Sequence, residues 1–321
     1  MMFSPSLRKA RTFSMKSLVL ASMAFHFFTT ELSASSTQGS NNAEPAPKSP
    51  FATVIDSLCT TNVKALSLNR ARTHKSDIDT RVGFQQWQAS LGSLDLKDED
   101  GSIGSLINVG VKSSDLKWRQ SPYFGTSHQY NFFVEGAHHF ELDLPVELHA
   151  HARLETDFQG RQIAKYTMGA VTLWASKNYN DVNYSLGFYK EIGRHSQCLR
   201  PVLGVHTKLY EDLDLDLLLP FHAKVLYNLY DPCTLYAGVK MLKDRQKTQP
   251  SDSYSKSIWQ YQTSLMHVGA SYHYLQIAQA SLELGRSLAP NVKVYDAEGH
   301  HLITQRVKGS LYAEVSINIF F

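Results

Sequence analysis

The chain ends on Ser310-Leu311-Tyr312-Ala313-Glu314-Val315-Ser316-Ile317-Asn318-Ile319-Phe320-Phe321, and this stretch decides the fold. Successive side chains of an extended strand point to opposite faces. Leu311, Ala313, Val315, Ile317, Ile319 and Phe321 therefore share one face, and Tyr312, Glu314, Ser316, Asn318 and Phe320 share the other. One face is continuously apolar and the other mostly polar. A soluble protein seldom leaves such a strand at a free edge, because a flat apolar edge recruits other chains. In a closed barrel the same strand meets lipid on one face and an aqueous lumen on the other. The expectation is an all-β chain folded as a transmembrane, antiparallel, up-and-down β-barrel.

Upstream, from about residue 63, strand-like segments alternate with turn signals. Candidates fall at 63–70, 80–91, 103–113, 128–143, 146–157, 164–176, 181–191, 199–209, 213–219, 221–230, 234–243, 257–274, 276–287 and 306–321. Lys97-Asp98-Glu99-Asp100-Gly101, Asp231-Pro232 and Pro250-Ser251-Asp252-Ser253 supply breakers between them. With some neighbours read as one strand broken by a bulge, the expected count is about 12 strands, within 10–14, at even parity. Three segments carry the inside/outside code. Leu213, Leu215, Leu217 and Leu219 oppose Asp214 and Asp216, which share their face with Asp212. Leu199, Leu203, Val205 and Leu209 oppose Arg200, His206 and Lys208, and Leu235, Ala237, Val239 and Met241 oppose Tyr236, Gly238 and Lys240. Charged groups on the non-apolar face need water, which a membrane-spanning barrel offers in its lumen. Sixteen Tyr and sixteen Phe crowd the strand ends, where aromatic girdles at the two interfaces are expected. A secreted β-sandwich with one wet face is the competing fold. A mean hydropathy of -0.27 fits a barrel, in which only alternate residues face lipid, and no apolar run of helical membrane-spanning length exists.

Residues 1–34 read as a secretory signal. Arg8, Lys9, Arg11 and Lys16 precede an apolar run from Leu18 to Phe28, and Leu32-Ser33-Ala34 offers a small-residue cleavage site, with Met1, Met2 or Met15 as the start. Its removal leaves bases and acids in equal number, which argues against nucleic acid as a partner. Residues 35–62 read as a flexible periplasmic tether, Ser/Asn/Pro-rich to residue 50, followed by Phe51, Val54, Ile55 and Leu58 at the spacing of a short helical turn. The barrel is assigned to 63–321. Export through the general secretion pathway to the cell outer membrane of a Gram-negative bacterium is the expected location, with outer-membrane lipid as surroundings.

The apolar–polar alternation ending on Val315, Ile317, Ile319 and Phe321 resembles the carboxy-terminal signature of bacterial outer-membrane barrels, which implies the barrel-insertion machinery as a partner during assembly. A second resemblance covers residues 181–287. Tyr184-Ser185-Leu186-Gly187-Phe188, Arg200-Pro201-Val202-Leu203-Gly204-Val205, Leu217-Leu218-Leu219-Pro220, Leu235-Tyr236-Ala237-Gly238-Val239 and Leu282-Glu283-Leu284-Gly285-Arg286 are similar to an uncharacterised family of outer-membrane barrels, domain-of-unknown-function family 6268. That resemblance implies a barrel and carries no activity, cofactor or site residue.

Arg200, His206 and Lys208, with Asp212, Asp214 and Asp216 on the neighbouring segment, form a candidate lumen charge ladder: either opposed charges that select solutes or cross-strand pairs that cement a filled lumen. Cys59, Cys198 and Cys233 fit no zinc spacing. An odd count in an oxidising compartment suggests one bridge, with Cys198–Cys233 as the candidate, and a spare thiol able to link a partner. The bridge requires both at one end of the barrel, which holds if 213–230 is one strand and fails if Pro220 divides it. His138, His139, His149 and His151 lie on consecutive strands, with His149, His151 and Glu147 on one face; a metal needs three or four converging ligands, loosely clustered histidines in a polar lumen are commoner, and no metal or other cofactor is expected. Adjacent His195-Ser196 fall in a turn, where neighbouring side chains diverge, and no His-x-Ser pair shares a strand face with a polar orienter, so no catalytic residue is assigned and an enzyme is not expected. The expected role is a narrow passive pore for small solutes or a filled structural barrel. An adhesive barrel acting through loops at 92–102 and 244–256 is the alternative, and a lipid-modifying enzyme a distant third.

Overall fold

The computed structural model describes residues 60–320, apart from the connecting positions 74–79, 93–102, 120, 122–124, 126, 142–145, 158–166, 194–197, 249–253, 255–256, 275–276 and 297. The signal segment, the tether up to Cys59, and Phe321 lie outside the described residues. The last positions assigned to the tether, Thr60 to Asn62, already belong to the first strand.

Fifteen strands follow in order: β1 Thr60–Arg72, β2 Arg81–Gly92, β3 Ile103–Arg119, β4 Ser127–Glu141, β5 Glu147–Asp157, β6 Met168–Tyr179, β7 Val182–Ile192, β8 Leu199–Tyr210, β9 Leu213–Leu219, β10 His222–Tyr230, β11 Cys233–Lys247, β12 Ile258–Tyr274, β13 Ala278–Tyr295, β14 His301–Arg306 and β15 Leu311–Phe320. Every pairing is antiparallel, each strand through β13 pairs with the next, and β15 joins β13 to β1, so the sheet closes on itself. Closure satisfies backbone groups that an open edge would leave unpaired. The ring has 14 staves rather than about 12, because β14 lies beyond β15 along β13 as an extra strand. Neighbouring segments that could have been one strand broken by a bulge are separate strands. Leu219 and His222 are instead joined by the two-residue turn Pro220–Phe221, so Pro220 does divide 213–230 into two strands.

The two ends of the barrel differ. Asn180–Asp181, Glu211–Asp212 and Asp231–Pro232 make two-residue turns at the end that also holds Thr60 and Phe320. Asn180 and Asp181 both take positive φ, 48° and 63°, as a type I′ hairpin requires. The β1–β2, β3–β4, β5–β6, β7–β8 and β11–β12 connections at the opposite end are longer, with the two-residue Pro220–Phe221 turn an exception there and the ten-residue β2–β3 connection an exception at the first end.

The wall obeys the alternation read from the sequence. Leu186 is 66% exposed, Val268 62%, Leu284 51%, Val315 47% and Ile317 46%, all on the outer face. Asp216, Glu283, Glu314 and Asn318 point inward and are buried. Inward aromatics seat on inward glycines directly across the ladder. Phe133 faces Gly110 and Tyr236 faces Gly269, where a Cβ would sit 2.4 and 2.6 Å from the ring.

Candidate functional site

The lumen departs from a simple cylinder at β11 and β12. β10 begins at His222, opposite Lys240, so β11 beyond Met241 has no wall neighbour on that side. β11 and β12 continue as a hairpin, Leu242↔Thr263 to Lys247↔Ile258. Opposite it, the β12–β13 register shifts between Gln262 and Ser264, and Ala289 takes a φ of 45° before Pro290. A bulge bends its strand, and from here the burial pattern changes. Asp244, Arg245 and Gln246 are all buried, as are Ile258 to Tyr261, although alternate residues point to opposite faces. Both faces are covered because the hairpin leans into the lumen and touches staves far from its own place in the ring.

One face packs on β1–β3. Tyr261 stacks on Phe84 with ring centroids 4.9 Å apart. Trp259, Leu265, Val292 and Val294 join it against Leu66, Leu68, Val82, Leu116 and Trp118, an apolar core inside the barrel. Asp244 accepts a hydrogen bond from the Lys112 Nζ of β3 at 2.8 Å, and Lys112 also pairs with Glu155 of β5. Asn131 donates to Glu155 at 2.6 Å, Arg153 lies 3.7 Å from it and 3.4 Å from Glu135, and the Arg153 guanidinium covers the Phe133 ring at 4.1 Å. The other face meets β6 and β7. Lys243 pairs with Glu191, Arg245 Nη2 reaches Glu191 Oε2 at 3.4 Å, and the Tyr189 hydroxyl donates to Glu191 at 3.0 Å. The Lys247 amide donates to Gln129 of β4 at 2.9 Å, close to the hairpin tip.

Between hairpin and wall lies a cavity of about 400 Å³. Lys112, Arg153, Lys243 and Arg245 face Glu155, Glu191 and Asp244 across it, with Met168, Phe221 and Met241 as apolar lining. Charges of both signs stand together on each side of this small space, paired as Lys112 with Asp244 and Glu155 on one side and Lys243 and Arg245 with Glu191 on the other. A second ion network closes the seam strands: Glu314 takes Lys64 at 2.8 Å and Lys240 at 2.7 Å, and Lys240 also pairs with Glu283.

The residues expected to form the ladder are brought together in part. Arg200, His206 and Lys208 of β8 and Asp214 and Asp216 of β9 face inward, with His206 opposite Asp216 and Lys208 opposite Asp214. The pairs that form are different. Asp216 takes His222 of β10 at 2.9 Å, and Asp214 takes Asn228 at 3.3 Å. Asp212 stands exposed in the β8–β9 turn, and Arg200 lies at the far end of β8, among the groups around the cavity.

Cys198 and Cys233 do not pair. The division at Pro220 sets them at opposite ends of the barrel, and both are free thiols. Residues 244–247 are no surface loop. They are the end of β11, buried in the lumen, so this part of the proposed adhesive surface is withdrawn; 93–102 lie outside the described residues. His149 and His151 share one face of β5 but take different partners: His149 lies against Trp174, Ser176 and Glu147, while His151 Nε2 is 2.8 Å from Glu135. Among the described residues no group of three His, Cys, Asp or Glu converges on a metal position.

No family model matches the chain, so the resemblance to domain-of-unknown-function family 6268 gains no support there, and no curated protein matches it either. Matches are found among solved structures. They include the COG4313 outer membrane channel of Pseudomonas putida F1, with 11% identity, 81% of this chain, 95% of that chain and a TM-score of 0.41. The β domain of the Bordetella autotransporter BrkA follows with 10% identity, 82% and 100% coverage and a TM-score of 0.31. A mutant porin of Rh. blastica has 7% identity, 82% and 99% coverage and a TM-score of 0.26.

Proposed function

We propose that this chain is an outer-membrane β-barrel that lets small solutes cross through a lumen narrowed by the β11–β12 hairpin. The observation that carries the reading is a closed ring with an apolar exterior and a charged interior, crossed by a hairpin buried on both faces. Leu186, Val268 and Leu284 on the outside suit hydrocarbon. Inside, Lys112, Arg153, Lys243 and Arg245 with their carboxylate partners line an aqueous space too small for large solutes. Carriage to the outer membrane by the secretory route, a cleaved signal at 1–34 and recognition of the strand ending Val315-Ser316-Ile317-Asn318-Ile319-Phe320-Phe321 by the insertion machinery complete the proposal.

The test is single-channel conductance of refolded protein in planar bilayers, after a heat-dependent gel shift has established the closed form. Small, discrete current steps support a pore. A correctly folded barrel that passes no current in any salt sinks it in favour of a filled, structural barrel.

A further inference from the structure

The two walls of the cavity are not equivalent in charge. On the β2–β5 side, Lys112 and Arg153 meet Asp244, Glu155 and Glu135, so cations have carboxylates enough. On the β7–β8 side, Lys243 and Arg245 share one carboxylate among the described residues, Glu191, whose Oε1 also accepts from the Tyr189 hydroxyl. Arg200 stands beside them, and the acceptors its guanidinium finds are sulfurs: Cys198 Sγ at 3.0 Å from Nε and Met241 Sδ at 3.8 Å from Nη1. Arg245 likewise turns Nη1 toward Met168 Sδ at 3.7 Å, while its Nε donates to Gln260 at 2.8 Å. Thioether sulfur is a weak acceptor, and a guanidinium recognises carboxylate through paired N–H groups. Among the described residues three cations thus stand around one acid, with Arg200 resting on sulfur and Arg245 giving one of its N–H groups to a thioether. Met168, Phe221 and Met241 surround them with apolar surface.

We propose that this wall is a binding site for small organic anions, one carboxylate joined to a short apolar body. The carboxylate docks on Arg245 and Arg200, displacing their sulfur contacts, and the apolar body lies along Met168, Phe221 and Met241. The inference deepens the pore reading by naming the solute class, and rests on that reading for a route of entry.

Isothermal titration of the folded protein in detergent micelles tests it, with hexanoate as probe, hexanamide as the neutral control and hexylammonium as the opposite charge. Saturable hexanoate binding at least about tenfold tighter than hexanamide is expected, since a charge-assisted hydrogen bond is worth that ratio or more. Arg245→Gln weakens hexanoate by at least about tenfold. Glu191→Gln removes the competing acid and tightens it, an outcome a merely damaged fold does not give. Equal binding of hexanamide, preference for hexylammonium, or indifference to both substitutions overturns the proposal. Conductance is read separately: hexanoate binding without current refutes the pore and keeps the site, and current without hexanoate binding does the reverse.

Discussion

Lys112→Met removes the cation that ties the hairpin to β3. Its ammonium is 6% exposed and serves both Asp244 and Glu155, whose side chains are 0% and 11% exposed. Breaking a buried ion pair from one side costs about 3–5 kcal/mol. Asp244→Asn leaves Lys112 still paired with Glu155, so it forfeits one charge-assisted bond, about 1.5–3 kcal/mol. The order of destabilisation is therefore Lys112→Met above Asp244→Asn, read as the midpoint of thermal conversion from the fast- to the slow-migrating form. The hairpin has a second hold, the apolar seat of Tyr261 on Phe84 and of Trp259 beside it. Trp259→Ala alone costs about 3–5 kcal/mol. Neither loss outweighs the other contact, so each single variant keeps the hairpin seated and near-native conductance. Combined, the losses approach twice that, and neighbours need not add; the double variant Lys112→Met/Trp259→Ala should show a larger open level. Full opening by Lys112→Met alone would show that the apolar seat holds nothing. An unchanged level in the folded double variant would refute the claim that the hairpin limits passage.

Gly269→Ala places a methyl 2.6 Å from the Tyr236 ring and 2.8 Å from a carbonyl of β13, and should cost about 1–3 kcal/mol in a guanidinium melt in liposomes. Leu186→Lys, at the middle of β7 on the outer face, should lower liposome stability by about 2–4 kcal/mol, and a similar loss in a detergent-free soluble form would contradict membrane burial there. Peptide mapping without reductant should find Cys198 and Cys233 alkylated and no peptide joining them.

What could be read from the sequence followed from single-sided burial. Leu213, Leu215, Leu217 and Leu219 against Asp214 and Asp216 gave a wall strand with its faces correctly assigned, and β8 was equally plain, because one face meets apolar surroundings and the other does not. The hairpin was opaque for the opposite reason. Lys243, Asp244, Arg245 and Gln246 lose alternation when both faces are buried against polar partners, and consecutive charged residues then resemble a solvated loop. β14 escaped notice because His301–Arg306 is short and follows a turn. The cavity residues could not be grouped from sequence at all. Lys112 and Asp244 are brought together by curvature of the whole ring, and no local spacing encodes that.

The seam between β1 and β15 sets a timetable. Thr60 lies opposite Phe320 and Leu68 opposite Tyr312, so the first strand pairs with the last one across nearly the whole described length of the chain. Every other wall pairing joins consecutive strands, or β13 and β15 with β14 alone between them, and can form locally, whereas this one must wait until β15 has been made. Contacts of such sequence separation are reached slowly, since the entropy of closing the loop is lost before the ladder forms. Until then the growing sheet carries two live edges.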